Sequence, residues 1–252
     1  MKVWLTAAAF SLLLLARPAA AQDLGGALDL PMLGRDLAMS AAIRADAERR
    51  AKEMGVTLDA SKTSSKTTAA TKAASSNVRF TYTPNHNLRQ QTVNNFAGRL
   101  QGNSPALAQA LRASFGPGGQ ADYSRLYTAG LKGSGFQDND AASALASFME
   151  VAYVVVNNVQ DTKSITPAVD RGLRQQMAGL LSQHPAAKSP TQLAQLGEEL
   201  KLQTVILMSG WQESQQTGKS AAYHSSISQS FNKQFGLDLT QVRLTEKGFV
   251  PK

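Results

Sequence analysis

Several short stretches carry side chains of the kinds that catalysis and metal binding use, and each lacks a part that its chemistry requires. Asp138-Asn139-Asp140 opens like a calcium loop. An EF-hand continues with oxygen ligands at alternate positions, a glycine at the sixth and a bidentate glutamate at the twelfth. Here Ala141 and Ala142 follow at once, so the acids are expected to cap a helix. Gly218-Lys219-Ser220 is the tail of a phosphate-binding loop, but the position where the motif needs its first glycine is Glu213, and a helical pattern precedes it instead of a strand. Ser230 and Lys233 have the spacing of the serine and lysine in penicillin-binding enzymes, without the Ser-Asp-Asn and Lys-Thr-Gly companions. His86, His184 and His224 fall in three separate segments, none with a second histidine or a carboxylate at metal-ligand spacing. The sequence therefore assigns no catalytic residue, no metal site and no cofactor.

Paired carboxylates for acid and base work would have to come from Glu150, Glu198, Glu199 and Glu213. The adjacent Glu198 and Glu199 are expected on a solvated face. Glu150 is the only charge between Asp140 and Asp161, and with Ser143, Ser147, Asn157 and Asp161 it lines one narrow polar strip of a helix. Such a strip commonly marks where a helix meets water. The other reading turns it toward an internal cleft with Tyr153 and Trp211 nearby, which makes Glu150, Tyr153 and Trp211 the candidate small-ligand site.

The elements that must position these groups are mostly helical. Ala141 to Val159 has Leu145, Phe148, Ala152, Val155, Val156 and Val159 at steps of three and four, widened by Met149, Val151 and Val154. Thr191 to Gln216 has the same character, with Leu193, Leu196, Leu200, Leu207 and Trp211 on one face. Two helices this apolar need neighbours on several sides, so the expectation is a multi-helix bundle with these two near its middle. Thr83-Pro84, Ser104-Pro105, Thr166-Pro167 and Ser189-Pro190 each pair a capping hydroxyl with a proline suited to the first helical turn. Further helices are expected over 121–132 and 220–235, the second stopped by Gly236. Val78 to Tyr82 alternates as a short strand, and the stretch LDLTQVRLTEKGFV alternates again around a turn at Glu246-Lys247-Gly248. A minor strand pair formed by the two ends of the domain is expected to close it.

Before residue 78 the chain reads differently. Lys2, an apolar run from Val3 to Ala16 and the small residues Ala19-Ala20-Ala21 have the form of a signal peptide over 1–21, cleaved after Ala21. Residues 22–58 read as a helical segment with Leu30, Leu33, Leu37 and Ala41 on one face, and the Ser/Thr/Ala/Lys-rich stretch 59–77 as a flexible linker. The formal charge is +8, and the excess is spread thinly with no dense basic stripe interleaved with aromatics. That excludes the usual footprint of a nucleic-acid binder. Cysteine is absent, so neither disulfides nor a lipidated cysteine enter the account. No segment after the leader is long and apolar enough for a transmembrane helix.

The Phe-x-Tyr-x-Pro opening at Phe80 to Pro84, the polar cap before an Ala-rich helix at Asp138 to Tyr153, and the ending Gly236-Leu-Asp-Leu, Leu244-Thr and Gly248-Phe-Val form a combination. It resembles an uncharacterised, mostly helical family of exported bacterial proteins, a domain of unknown function, over roughly residues 78–252. The resemblance implies no activity and no functional residue. The expectation is a mostly all-α domain over 78–252 in a periplasmic or secreted protein. Its leading role is a non-enzymatic module that binds an envelope protein or a small ligand. The alternatives are a hydrolase acting on an envelope polymer or peptide through Glu150 and Glu213, and a weak binder of anionic envelope surface through Lys62, Lys66 and Lys72.

Overall fold

A computed structural model describes residues 78–252; the expected leader, the helix over 22–58 and the linker with Lys62, Lys66 and Lys72 all lie outside the described residues. Seven α-helices follow in order: α1 His86–Leu100, α2 Pro105–Phe115, α3 Tyr123–Gly130, α4 Ala141–Val156, α5 Pro167–Leu181, α6 Pro190–Gln216 and α7 Ser220–Phe235. A hairpin of β1 Val242–Thr245 and β2 Gly248–Pro251 ends the chain. The fold is mostly all-α, as the periodicity predicts.

α4 is the axis of the body. Every residue from Ala141 to Val155 except Tyr153 is buried, because the stripe widened by Met149, Val151 and Val154 leaves no face polar enough for water. Its most extensive partner is α6, followed by α5, with α7 on a further side. Phe148 of α4 stacks on Phe231 of α7 with ring centroids 5.4 Å apart. The two apolar helices thus lie together at the centre.

Local capping chemistry starts most of the helices where it is expected. Asp140 caps α4 by accepting from the Ser143 N–H at 2.7 Å, Thr166 caps α5 and Ser189 caps α6. Ser104 holds the cap position of α2 without a side-chain capping bond. The first Thr-Pro pair differs: α1 begins two residues later, capped by Asn85, whose Oδ1 accepts from the Leu88 N–H at 2.8 Å. Thr83 and Pro84 are instead spent in the extended approach, a conformation that the residue before a proline favours. α7 spans Ser220–Phe235 and is closed by Gly236 with φ +58°, the left-handed cap predicted from its type.

The two ends of the domain do not pair with each other. β1 and β2 form their own antiparallel hairpin, Thr245 opposite Gly248, with the two-residue turn at Glu246-Lys247. The Val78 to Tyr82 stretch instead makes a single antiparallel bridge, Thr81 opposite Asp140, with the Tyr82 N–H donating to the Asn139 carbonyl at 2.9 Å and the Ala141 N–H to the Phe80 carbonyl at 2.9 Å. A tight turn lets the C-terminal strands find each other over a short loop, which costs less chain entropy than closure across the whole domain.

The hairpin is fastened to α5 through Gln176. Its amide nitrogen donates to the Phe249 carbonyl at 3.0 Å, and its amide oxygen accepts from the Phe249 N–H at 2.8 Å. Both contacts are buried, so neither main-chain group can turn to water. We expect Gln176→Leu to cost about 2 to 4 kcal/mol of unfolding free energy, read by urea denaturation, with faster hydrogen exchange at the Phe249 amide.

Candidate functional site

A charged cluster is built into the interior between α3 and α6, in a place where periodicity leads one to expect only apolar contacts. Glu198 and Lys201 are one turn apart on α6, and both side chains are wholly buried. Their charged atoms meet at 2.9 Å. Burying one such pair costs several kcal/mol per ion unless every remaining lone pair and proton is satisfied, and here the inventory is complete. The ammonium of Lys201 has three protons. They go to Glu198 Oε1, to Asp138 Oδ1 at 2.7 Å and to Asn139 Oδ1 at 2.6 Å. On Glu198, Oε1 also accepts from the Tyr82 hydroxyl at 2.9 Å, while Oε2 accepts from the Tyr123 hydroxyl at 2.5 Å and lies 3.7 Å from Arg89 Nε. Two anions therefore face two cations. The rings of Tyr82 and Tyr127 both lie 5.5 Å from the ammonium, adding cation–π attraction in a dry site.

The backbone is shaped to make this possible. Asn139 takes a left-handed conformation, φ +54°, which asparagine tolerates better than most residues, and its carbonyl is the one that receives Tyr82. Gly197 leaves room for the Tyr82 ring: a Cβ there would come within 2.3 Å of it. Burial, and after it the charge of Glu198, hold the hydroxyls of Tyr82 and Tyr123 protonated far above the ordinary phenol range. Burial does the same to Tyr127, although its bond with Ser147 at 2.8 Å works the other way. Burial alone would raise the Asp138 carboxyl. The hydrogen bond and charge of Lys201, with help from the Thr128 hydroxyl and the Asn139 N–H, bring it below its usual value. The chemistry of this cluster is that of a lock, because Lys201 and Glu198 are wholly buried and give their protons and lone pairs to one another and to fixed neighbours.

A second ion pair stands beside it. Arg174 of α5 reaches Asp140 in bidentate form, at 3.0 and 2.7 Å, and also donates to Ser143 Oγ at 3.2 Å. Of the two acids only Asp140 caps α4, and it also ties α5 to the start of that helix; Asp138 anchors Lys201 instead.

Tyr82 is the link from this interior to the surface. It also lines a groove of about 570 Å³ between the extended residues 79–83, the start of α1 and the start of α6. Arg79, Thr81 and Thr83 form one wall; Asn85, Asn87 and Gln91 another; Pro190, Thr191, Ala194 and Gln195 a third; Leu88 and Leu193 supply apolar surface. No aspartate or glutamate lines it. The first turns of two helices border this groove, so the partial positive charge of both ends adds to that of Arg79.

The residues proposed from the sequence lie elsewhere. Glu150 and Tyr153 are one turn apart on α4 and Trp211 is on α6; Glu150 and Trp211 are buried, and Tyr153 packs on Phe249 with centroids 5.7 Å apart. None of the three lines the groove. The polar strip does not meet water at its upper end: Ser143, Ser147 and Glu150 are buried, and only Asp161 beyond the helix is exposed. Glu198 and Glu199 do not form a solvated face either, since Glu198 is sealed inside and Glu199 pairs with Arg99 at 2.7 Å. The carboxyl of Glu213 is raised by burial, against the pull of Lys219. Lys201 escaped the sequence reading, although a lysine between Leu200 and Leu202, three residues after a glutamate, is the signal that marks it. Among the described residues no three histidine, aspartate or glutamate side chains gather as a metal-binding set. No described helix is long and apolar enough to cross a membrane.

Comparison with known proteins bears out the resemblance to a family of unknown function, and over more of the chain than residues 78–252. The chain belongs to a family of unknown function, DUF6683, whose model matches residues 2–252. Neither the curated proteins nor the solved structures contain a match to it.

Removing the ammonium leaves Glu198 buried without its nearest counter-ion, so Lys201→Met is expected to cost about 3 to 5 kcal/mol by urea denaturation. Glu198→Gln added to it should recover part of that loss. A carboxyl whose pKa falls on folding contributes stability above its unfolded value, and that stability is lost as pH falls through the lowered folded value. Asp138 therefore predicts wild-type stability that declines below about pH 4, and a shallower decline in Lys201→Met.

Proposed function

We propose that this member of the family is a non-enzymatic binding module, exported from a bacterial cell, that holds a ligand or partner segment of the envelope in the groove bordered by Tyr82. The observation that carries the reading is the contrast between the two polar regions. The interior cluster keeps Lys201 and Glu198 wholly buried on fixed partners, whereas the groove presents hydroxyls, carboxamides and a guanidinium on open walls backed by a fixed tyrosine. A site that binds needs positioned donors and acceptors with access; a site that catalyses needs in addition an activated nucleophile or a poised acid and base. Asn85, Asn87, Gln91 and Gln195 offer paired donors and acceptors but no group of that second kind.

Export is supported by the form of the first twenty-one residues. A role at anionic envelope surfaces through Lys62, Lys66 and Lys72 rests on residues outside those described and gains no support from the groove.

Ala194 is half-buried on the groove wall. In Ala194→Trp the indole should fill the groove while the melting temperature stays within a few degrees of wild type. Native mass spectrometry of protein incubated with envelope extract should then show an adduct on the wild type that Ala194→Trp lacks. An adduct retained by the variant, or none on either protein, would count against the groove.

A further inference from the structure

The bridge that holds residues 80–82 leaves one edge of that extended stretch without a partner among the described residues. In an antiparallel pair, alternate residues direct their N–H and C=O groups to opposite sides. The Phe80 carbonyl and the Tyr82 N–H point inward, to Ala141 and Asn139. Thr81, between them, sits at the non-hydrogen-bonded position opposite Asp140. Its own N–H and C=O therefore face the other way, and no described main-chain or side-chain group bonds to them. Thr81 is exposed and lines the groove, as does Thr83 two residues on. An unpaired strand edge of this kind is a template for another strand.

From this edge, and resting on the reading of the groove as the binding site, we infer that its occupant is an extended peptide segment of acidic character, which adds as a strand alongside residues 80–83. Main-chain hydrogen bonds to Thr81 would supply affinity that is blind to sequence, and side-chain contacts would supply the choice of partner. The carboxamides of Asn85, Asn87, Gln91 and Gln195 suit a peptide because each can answer both an amide N–H and a carbonyl. The charge preference follows from the lining, which has Arg79 and no carboxylate to oppose it. The chain's own segment 59–77 carries Lys62, Lys66 and Lys72 and no acid after Asp59. Its charge makes it a poor competitor.

The edge itself is firmly placed. Phe80 is buried, and Tyr82 is tied through its hydroxyl to Glu198 and through its N–H to Asn139. A peptide therefore docks on a strand that is already ordered, which spares the entropy of forming the template.

The test is a displayed library of random octapeptides selected against the full chain, followed by synthesis of the strongest binders. We expect the selected sequences to be rich in aspartate and glutamate, and to bind wild type but not Ala194→Trp. Arg79→Glu, an exposed change that leaves the fold intact, should weaken them about tenfold or more. N-methylation along a binder should then alternate: methyl groups at every second residue abolish binding and those between leave it unchanged, while the Thr81 amide becomes slow to exchange. Basic selected sequences, or N-methylation without alternation, would overturn the acidic strand. If no peptide binds while an envelope adduct remains sensitive to Ala194→Trp, the peptide inference falls and the groove reading stands. Peptides that bind Ala194→Trp as well as wild type would remove both.

Discussion

The buried ammonium of Lys201 is the constraint that the other parts of the domain satisfy. A lysine taken wholly out of water is tolerated only if each of its protons finds an acceptor and its charge finds a counter-charge. Meeting those terms requires Glu198 from its own helix, Asp138 and Asn139 from the loop before α4, Tyr82 from the leading strand and Tyr123 and Tyr127 from α3. Arg89 of α1 completes the charge balance. An all-leucine seam between the same helices would bury as much surface, but it would not distinguish one register from the next. The ion cluster does, because a shift of a single residue strands several polar groups at once. Specificity of register is the best-attested use of buried charge.

The same cluster determines what kind of surface the groove can have. Tyr82 is shared between the two, its hydroxyl inside and its backbone at the wall. Because Gly197 admits the ring at close range and Asn139 receives the neighbouring N–H, the leading strand cannot drift away from the body without exposing Glu198 and Lys201. Rigidity at the surface is thus bought with interior electrostatics. The Asp140 to Arg174 pair extends the arrangement to α5, and through Gln176 the hairpin joins it. A chain of polar fastenings runs from one end of the domain to the other around an apolar axis.

Much of that architecture is written locally and can be read from the sequence. Helix starts at Pro105, Pro167 and Pro190 follow from a hydroxyl and a proline side by side, and the left-handed stop at Gly236 follows from the residue type. α4 and α6 are legible because their apolar residues recur too densely for a one-sided helix. What is not legible is which charges turn inward. Periodicity treats Glu198 and Glu199 alike, yet one meets Tyr82 across 116 residues and Tyr123 across 75, while the other meets Arg99 across 100. The strip through Ser143, Ser147 and Glu150 fails for the same reason. Small polar residues at helical spacing describe a wet face and a hydrogen-bonded interior seam equally well, and only the distant Tyr127 decides. The groove is hidden in another way: Ser189 is recognisable as a cap and Thr83-Pro84 places a helix start near Asn85, but nothing local says that the two starts converge.

Burial of acids has a further effect on the outer field of the domain. Asp138, Asp140, Asp170, Glu198 and Glu199 are spent on internal partners: Lys201, Arg174, the Gly135 N–H and Arg99 among them. Other bases stay at the surface, where Arg79, Arg125, Lys132, Lys188 and Arg243 are all exposed. These ion pairs cancel within the interior, since Lys201, Arg174 and Arg99 enter the formal charge along with the acids they meet, and the positive excess is left to the exposed bases. A field of one sign raises the encounter rate of oppositely charged molecules and loses that advantage as salt is added. It acts over the whole surface, so by itself it selects nothing. Selection has to come from a place where the field coincides with ordered hydrogen-bonding groups, and the groove beside Thr81 is such a place. Its fixed strand edge has its origin in the burial of Glu198 beneath Tyr82, whose hydroxyl is held there.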